Sequence, residues 1–131
     1  MHASPKIFAL TLVTDHLEET ESFYRRVFGL EPVFTDANST VFQFGEVLVN
    51  ILDASAVGGL FSPAVVASPG LGHRNLLTIQ VDNVDLEAER LAGLGVQLNQ
   101  QPTDQDWGIR TITFIDPTGQ MWELSHPLVV G

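Results

Sequence analysis

Apolar and polar positions follow two rhythms along this chain, a near-continuous strand pattern and a helical one, and the two succeed each other twice in the same order. "KIFALTLVTD" (residues 6–15) is apolar and rich in strand formers, and it runs straight into "DHLEETESFYRRVFGLEP". There Asp15 stands at a capping position with Glu18 three residues on, acids crowd the first turns, Arg25 and Arg26 lie near the end, and Gly29 and then Pro32 supply a stop. The spacing predicts a helix that buries Leu17, Phe23, Val27 and either Tyr24 or Phe28. "EPVFTD", "STVFQFG" and "VLVNILD" predict three strands, with turns at residues 36–39 and at Gly45 and Glu46.

The stretch "ASAVGGLFSPAVVASPGLGHR" has no sustained period and reads as a long connector, a kind of segment that is often functional. After it the first order returns. "NLLTIQVDNVDLEAERLAGLGVQL" predicts a strand ending at Asp82, a helix opened by Asp82 with Asp85 at the capping-box position, and a stop within Gly93 to Gly95. "VQLNQ", "GIRTITFID" and "MWELSHP" predict three more strands. Laying Thr11–Asp15 over Thr78–Asp82 aligns both helix starts, and Gly29 and Gly95 then agree to within one residue. The chain is thus an internal repeat of strand, helix, strand, strand, strand. We expect one α+β domain over residues 1–131, with module one at about 6–53, a connector at about 54–74 and module two at about 75–128.

Composition narrows the partners. Sixteen acids against six bases give a formal net charge of −10, which repels phosphate backbones and anionic membranes. Neither nucleic acid nor a membrane is an expected partner. The acidity favours a cationic ligand, or serves solubility alone. The absence of cysteine excludes disulfides and thiolate metal sites and fits a reducing compartment. The first residues read as neither a signal peptide nor a membrane span, so a soluble cytoplasmic protein is expected.

One acid stands out. In "FIDPTGQMWELSHP" a strand, a tight turn and a second strand succeed each other, and Glu123 lies inside the apolar second strand, where an unpaired carboxylate is costly. With "DHLEETESFYRRVFGLE" after the first strand, "VDNVDLEAERLAGLGV" after the fifth and "FIDPTGQMWEL" near the end, essentially the whole chain resembles the vicinal oxygen chelate superfamily. That group includes glyoxalase I, extradiol dioxygenases, fosfomycin-resistance transferases and the bleomycin-resistance binding proteins. The resemblance implies two tandem βαβββ modules with curved mixed sheets around a shared cleft, and a homodimer. It also implies, for the metalloenzymes of the group, a divalent metal held by a histidine in the first strand, a histidine in the fifth and a glutamate in the eighth. Glu123 matches the glutamate, but the histidine positions fall on Phe8 and Leu76, which ligate nothing. His2, His16, His73 and His126 are expected at the surface, and a non-standard site combining Glu123 with His16, His73 or His126 is left open. No metal site and no cofactor is assigned.

If Glu123 faces inward, Met121 and Ser125 face inward with it, and Phe8, Leu10 and Leu12 from the first strand and Leu76, Thr78 and Gln80 from the fifth join them. The expected result is a mainly apolar cup, either a small-molecule site or plain core. Chains of the superfamily often carry Trp-Gly-x-Arg before the seventh strand. Here Trp107 offers a ring-stacking face and Gly108 a close backbone approach. Arg110 pairs either with Glu123 or an anionic ligand, or with Asp104 or Asp106. Asn50 occupies the place of Glu123 in the first half, and whether it or Val49 faces inward depends on hairpin register. Three functions follow: a metal-independent protein binding an aromatic or cationic small molecule, of the bleomycin-resistance type; a lyase, isomerase or dioxygenase relative using Glu123 as acid or base; or a dimeric scaffold with a closed cleft.

Overall fold

The structure, a computed structural model, describes residues 5–128. The chain divides after Ser68 into two compact units, and each is a βαβββ module with a four-stranded mixed sheet. Unit 1 runs β1 (Ala9–Thr14), α1 (Leu17–Phe28), β2 (Phe34–Thr35), β3 (Ser39–Phe44) and β4 (Val47–Asp53), with sheet order β1-β4-β3-β2. The strand β1 is parallel to β4, a pairing that the long connection through α1, β2 and β3 allows, and the rest pair antiparallel. A 3-10 turn (Ala54–Ala56) and a one-turn α2 (Gly58–Phe61) follow, so the expected connector is partly ordered, and Val57 between them is fully buried. Unit 2 repeats the plan as β5 (Leu77–Gln80), α3 (Val84–Gly93), β6 (Gln100–Asp104), β7 (Ile109–Ile115) and β8 (Met121–Pro127), in sheet order β5-β8-β7-β6.

The α1 helix buries Thr20, Phe23, Tyr24 and Val27, with Leu17 and Phe28 half-buried at its margins. The Tyr24 ring lies 5.0 Å from that of Phe28, 5.3 Å from Phe42 and 6.2 Å from Phe44, an aromatic cluster that ties the helix to the sheet. Gly29 ends the helix in the left-handed conformation, φ 65°, and donates its N–H to the Arg25 carbonyl. The helix start differs from expectation. Asp15 is exposed and His16 occupies the capping position without a side-chain bond. Two buried threonines take over: His16 N–H donates to Thr14 Oγ1 (3.0 Å), Thr14 bonds Thr20 Oγ1 (2.8 Å), and Thr20 Oγ1 donates to the His16 carbonyl (2.7 Å). Each hydroxyl has one proton, so the circuit closes only with Thr14 donating to Thr20.

In unit 2, Val84 and Leu91 pack α3 on its sheet, with both side chains fully buried. The cap falls one residue later than expected: Asn83, not Asp82, accepts the Leu86 N–H. The sixth strand also lies later. Val96 donates to the Leu91 carbonyl and Gly95 to that of Ala92, so Val96 closes the helix C-terminus, and Gln97 and Leu98 stand outside any strand. Pairing begins instead at Gln100, with an irregularity between Gln100 and Thr103 where Pro102 has no N–H to offer.

Candidate functional site

Glu123 is positioned by the β7–β8 hairpin, and the hairpin is organised by a buried carboxylate. Asp116 Oδ1 accepts from the Thr118 N–H (2.8 Å), the Thr118 hydroxyl (2.5 Å) and the Gln120 N–H (3.1 Å), and Asp116 Oδ2 accepts from the Trp122 indole N–H (3.0 Å). Gly119, at φ 92°, allows the chain to reverse, and its N–H returns to the Asp116 carbonyl. The "DPTGQMW" stretch is therefore a turn lock that anchors Trp122 in the core. With Trp122 and Leu124 buried toward α3, the two-residue period turns Met121, Glu123 and Ser125 to the other face.

The Glu123 row and the rows on either side of it define that face around the carboxylate. In the middle row Thr78, Glu123 and Thr113 stand side by side, with Asn99 Nδ2 donating to Thr113 Oγ1 (3.0 Å). In the next row stand Gln80, Ser125 and Thr111, with Gln105 Nε2 donating to Thr111 Oγ1 (3.0 Å). In the row on the opposite side Met121 is level with Ile115, and Leu76, one residue before β5, adjoins it. The face is thus polar at its centre, with Met121, Ile115 and Leu76 at one end and Ile109 level with Pro127 at the other, in place of the mainly apolar cup that was expected. Its hydroxyls sit at alternate positions of "RTITF", a period-two signal that was present in the sequence and not used.

Glu123 is half-buried, and among the described residues its carboxylate makes one hydrogen bond, from Thr78 Oγ1 to Oε1 at 3.0 Å. It is the single ionisable side chain that β5, β7 and β8 place on this face. Of the partners open to Arg110, Glu123 is not taken and Asp104 is. Arg110 lies on the opposite face, level with His126, where it donates to both oxygens of Asp104 (2.7 and 3.3 Å) and to Asp85 in the first turn of α3 (2.7 Å). These bonds hold the Asp104 carboxyl below the ordinary carboxylate value and the Arg110 guanidinium above its own. Trp107, in the β6–β7 turn, is 70 % exposed.

Unit 1 corrects a second expectation. Leu10 and Leu12 pair with Val49 and Ile51, both buried on the face that α1 covers, and Phe8 precedes the strand and is 75 % exposed. The residues that share a face with Asn50 are Ala9, Thr11 and Val13, so the inward register of β1 is the odd one. Thr11, Asn50 and Val41 make the row that corresponds to Thr78, Glu123 and Thr113. Of the histidines, His16 and His73 are exposed, and His2 lies outside the described residues. His126 is not a surface residue: it is half-buried, and its Nδ1 accepts the Val84 N–H at 2.7 Å, an extra cap on α3.

Among the described residues no three His, Asp or Glu side chains converge as a metal-binding group. On the face of unit 2 one carboxylate stands among neutral hydroxyls and amides, with Thr78 beside Glu123, and this donor set does not fit a set of two histidines and a glutamate. A separate open groove of about 430 Å³ in unit 1 is lined by His16, Leu17, Glu18, Glu19, Ala37 and Asp53. Ser55 gives Asp53 its side-chain and backbone bonds, which hold that carboxyl below the ordinary value.

Known proteins share this architecture. The family model described as the Glyoxalase/Bleomycin resistance protein/Dioxygenase superfamily matches residues 6–124. A glyoxalase/bleomycin resistance protein/dioxygenase from Nocardioides superposes with a TM-score of 0.86 at 25% identity, covering 100% of this chain and 89% of that one. A glyoxalase-related enzyme from Fulvimarina pelagi gives 0.80 at 25% identity, over 92% and 87% of the two chains. A lactoylglutathione lyase from Agrobacterium tumefaciens gives 0.74 at 22% identity, over 94% of each, and shares the fold.

Proposed function

The chain belongs to the glyoxalase/bleomycin resistance protein/dioxygenase superfamily, and from that premise we propose that it binds a small aromatic or cationic molecule on the Glu123 face of unit 2, without the metal site of the superfamily's metalloenzymes. The observation that carries this reading is the carboxylate itself. Glu123 is half-buried in the middle of a strand, has the Thr78 hydroxyl as its hydrogen-bond partner among the described residues, and has no cation beside it. A carboxylate accepts about four hydrogen bonds, so a donor-bearing ligand would complete what the fold leaves open. Thr78, Gln80, Ser125 and Met121 border the same face and would contact the ligand; Leu76 would contact it at the edge.

A thermal-shift screen with planar aromatics and cationic antibiotics tests the reading, because a ligand selective for the folded state raises the melting temperature. The Glu123→Gln variant should bind a cationic hit about tenfold more weakly or worse, the loss of one charge-assisted bond. Equal affinity in the variant would remove Glu123 from the site, and a stoichiometric, tightly held divalent metal in the purified protein would overturn the metal-free reading. An acid or base role for Glu123 in an enzyme draws on the same open carboxylate, and turnover of a bound hit that vanishes in Glu123→Gln would establish it. The reading includes a cytoplasmic homodimer, supported by apolar side chains left exposed in unit 1, Ile7, Phe8, Val33 and Phe34 among them. Light scattering and cell fractionation check those two points. Among the described residues no helix is long and apolar enough to cross a membrane.

A further inference from the structure

We propose that the Glu123 face also orients its ligand: the bound molecule is an amphipathic cation whose ammonium or amidinium head sits on Glu123 and whose apolar arm runs along β8 toward Met121 and Ile115. This rests on the reading of Glu123 as a ligand-binding carboxylate and adds a direction and a chemical class to it.

The direction comes from the rows on either side of Glu123. Toward the β8 C-terminus lie Gln80, the buried Ser125 and the buried Thr111, whose hydroxyl is held by Gln105. The two hydroxyls are already buried and the exposed member of the row, Gln80, is polar, so an apolar arm laid there finds no apolar surface in that row to cover. Toward the β8 N-terminus lie Met121 and Ile115, with Leu76 adjoining, and Ile115 is 39 % and Leu76 43 % exposed. Exposed apolar surface in that row is what an apolar arm would cover with gain. The head group follows from charge. Thr78 holds one carboxylate oxygen, no basic side chain stands on the face, and the chain carries a net charge of −10, so a cation is drawn in and an anion repelled. Adjacent same-face rows along a strand are about 6.7 Å apart, which an arm of about five methylenes spans.

A chemical-shift titration with n-alkylammonium chlorides, methyl to octyl, tests this on wild type and on Glu123→Gln, Ile115→Thr and Leu76→Gln, with melting temperatures as a check on folding. In wild type, affinity should rise about fourfold per methylene between propyl and heptyl, the range over which the arm reaches the apolar row. Ile115→Thr and Leu76→Gln should flatten that rise, so that heptylammonium loses far more affinity than methylammonium in either variant, and both side chains are exposed enough for at least one variant to fold. Glu123→Gln should weaken every member of the series. Binding that depends on Glu123 but shows no chain-length rise, or a rise that survives both apolar variants, overturns the orientation and leaves the binding reading standing. Wild type that binds no alkylammonium overturns the amphipathic-cation proposal, and the screen with planar aromatics then decides the binding reading.

Discussion

Thr14 and Thr40 bury the same hydroxyl in the same unit with opposite consequences. The Thr14 hydroxyl is a link in the circuit that starts α1, whereas Thr40 Oγ1 is buried with no hydrogen-bond partner among the described residues. Thr40→Val keeps the shape and removes the unpaired group, so unfolding by urea should show a gain of up to about 1 kcal/mol. Thr14→Val should lose about 1–2 kcal/mol, because the His16 N–H and the Thr20 hydroxyl are left behind. Asp104 carries a pH signature. Its carboxyl is held below the ordinary 3.8, chiefly by the Arg110 hydrogen bond. The folded chain therefore binds fewer protons there than the unfolded chain does, and the stabilising contribution is whole above 3.8 and fades as the pH falls through the folded value. A carbon-detected titration should find Asp104 below 3.8 in wild type and shifted upward in Arg110→Gln. At this scale the sequence was only partly legible. It singled out Glu123 and put Met121, Ser125, Thr78 and Gln80 on one face with it. A one-residue slip in β1 sent Leu10 to the wrong face: the alternation in "ALTLVT" keeps Leu10 and Leu12 together, but it does not say which side of the strand α1 covers. Arg110 was open between Glu123 and Asp104 because strand pairing, which places it with His126, is a tertiary fact.

Elements were more legible than the residues that begin and end them. Gly29 was read correctly because a left-handed helix stop has one cheap solution. Both helix starts were misplaced, because Asp15 and Asp82 are acceptable caps that the fold did not choose; the Thr14 hydroxyl accepts the His16 N–H and Asn83 the Leu86 N–H instead. The second cap on α3, His126, comes from 42 residues away and leaves no local trace. His126→Leu should keep the fold, cost about 1 kcal/mol, and raise hydrogen exchange selectively at Val84. Asp116→Ala is the severe case. It strips four donors of their acceptor, one of them the Trp122 indole, and should cost about 3 kcal/mol or more by urea unfolding. The sixth strand was displaced for a related reason: "VQL" has better strand propensity than "QQPTD", but the helix C-terminus claims its first residue, Val96.

For the whole molecule, the duplication was the most legible feature, because two amphipathic units in the same order are hard to read otherwise, and the family followed from it. The net charge acts at this scale too. If the ligand is a cation, its association should slow and its affinity fall as salt is raised from 20 to 300 mM, roughly the range in which the Debye length shrinks below 10 Å, while a neutral ligand should be indifferent; stopped-flow measurements would separate the two. The turn lock at Asp116 has one more consequence. It fixes Trp122 in a buried, hydrogen-bonded setting, while Trp107 is largely exposed, and these two are the only tryptophans in the chain. Both belong to unit 2, and the only tyrosine, Tyr24, belongs to unit 1. Intrinsic fluorescence excited at the red edge thus reports on one half of the duplicated chain, with a blue-emitting component shielded from iodide and a red-emitting one open to it. Comparing its melting curve with far-ultraviolet dichroism, to which both repeats contribute, asks whether they unfold as one cooperative body or in turn, with no label added.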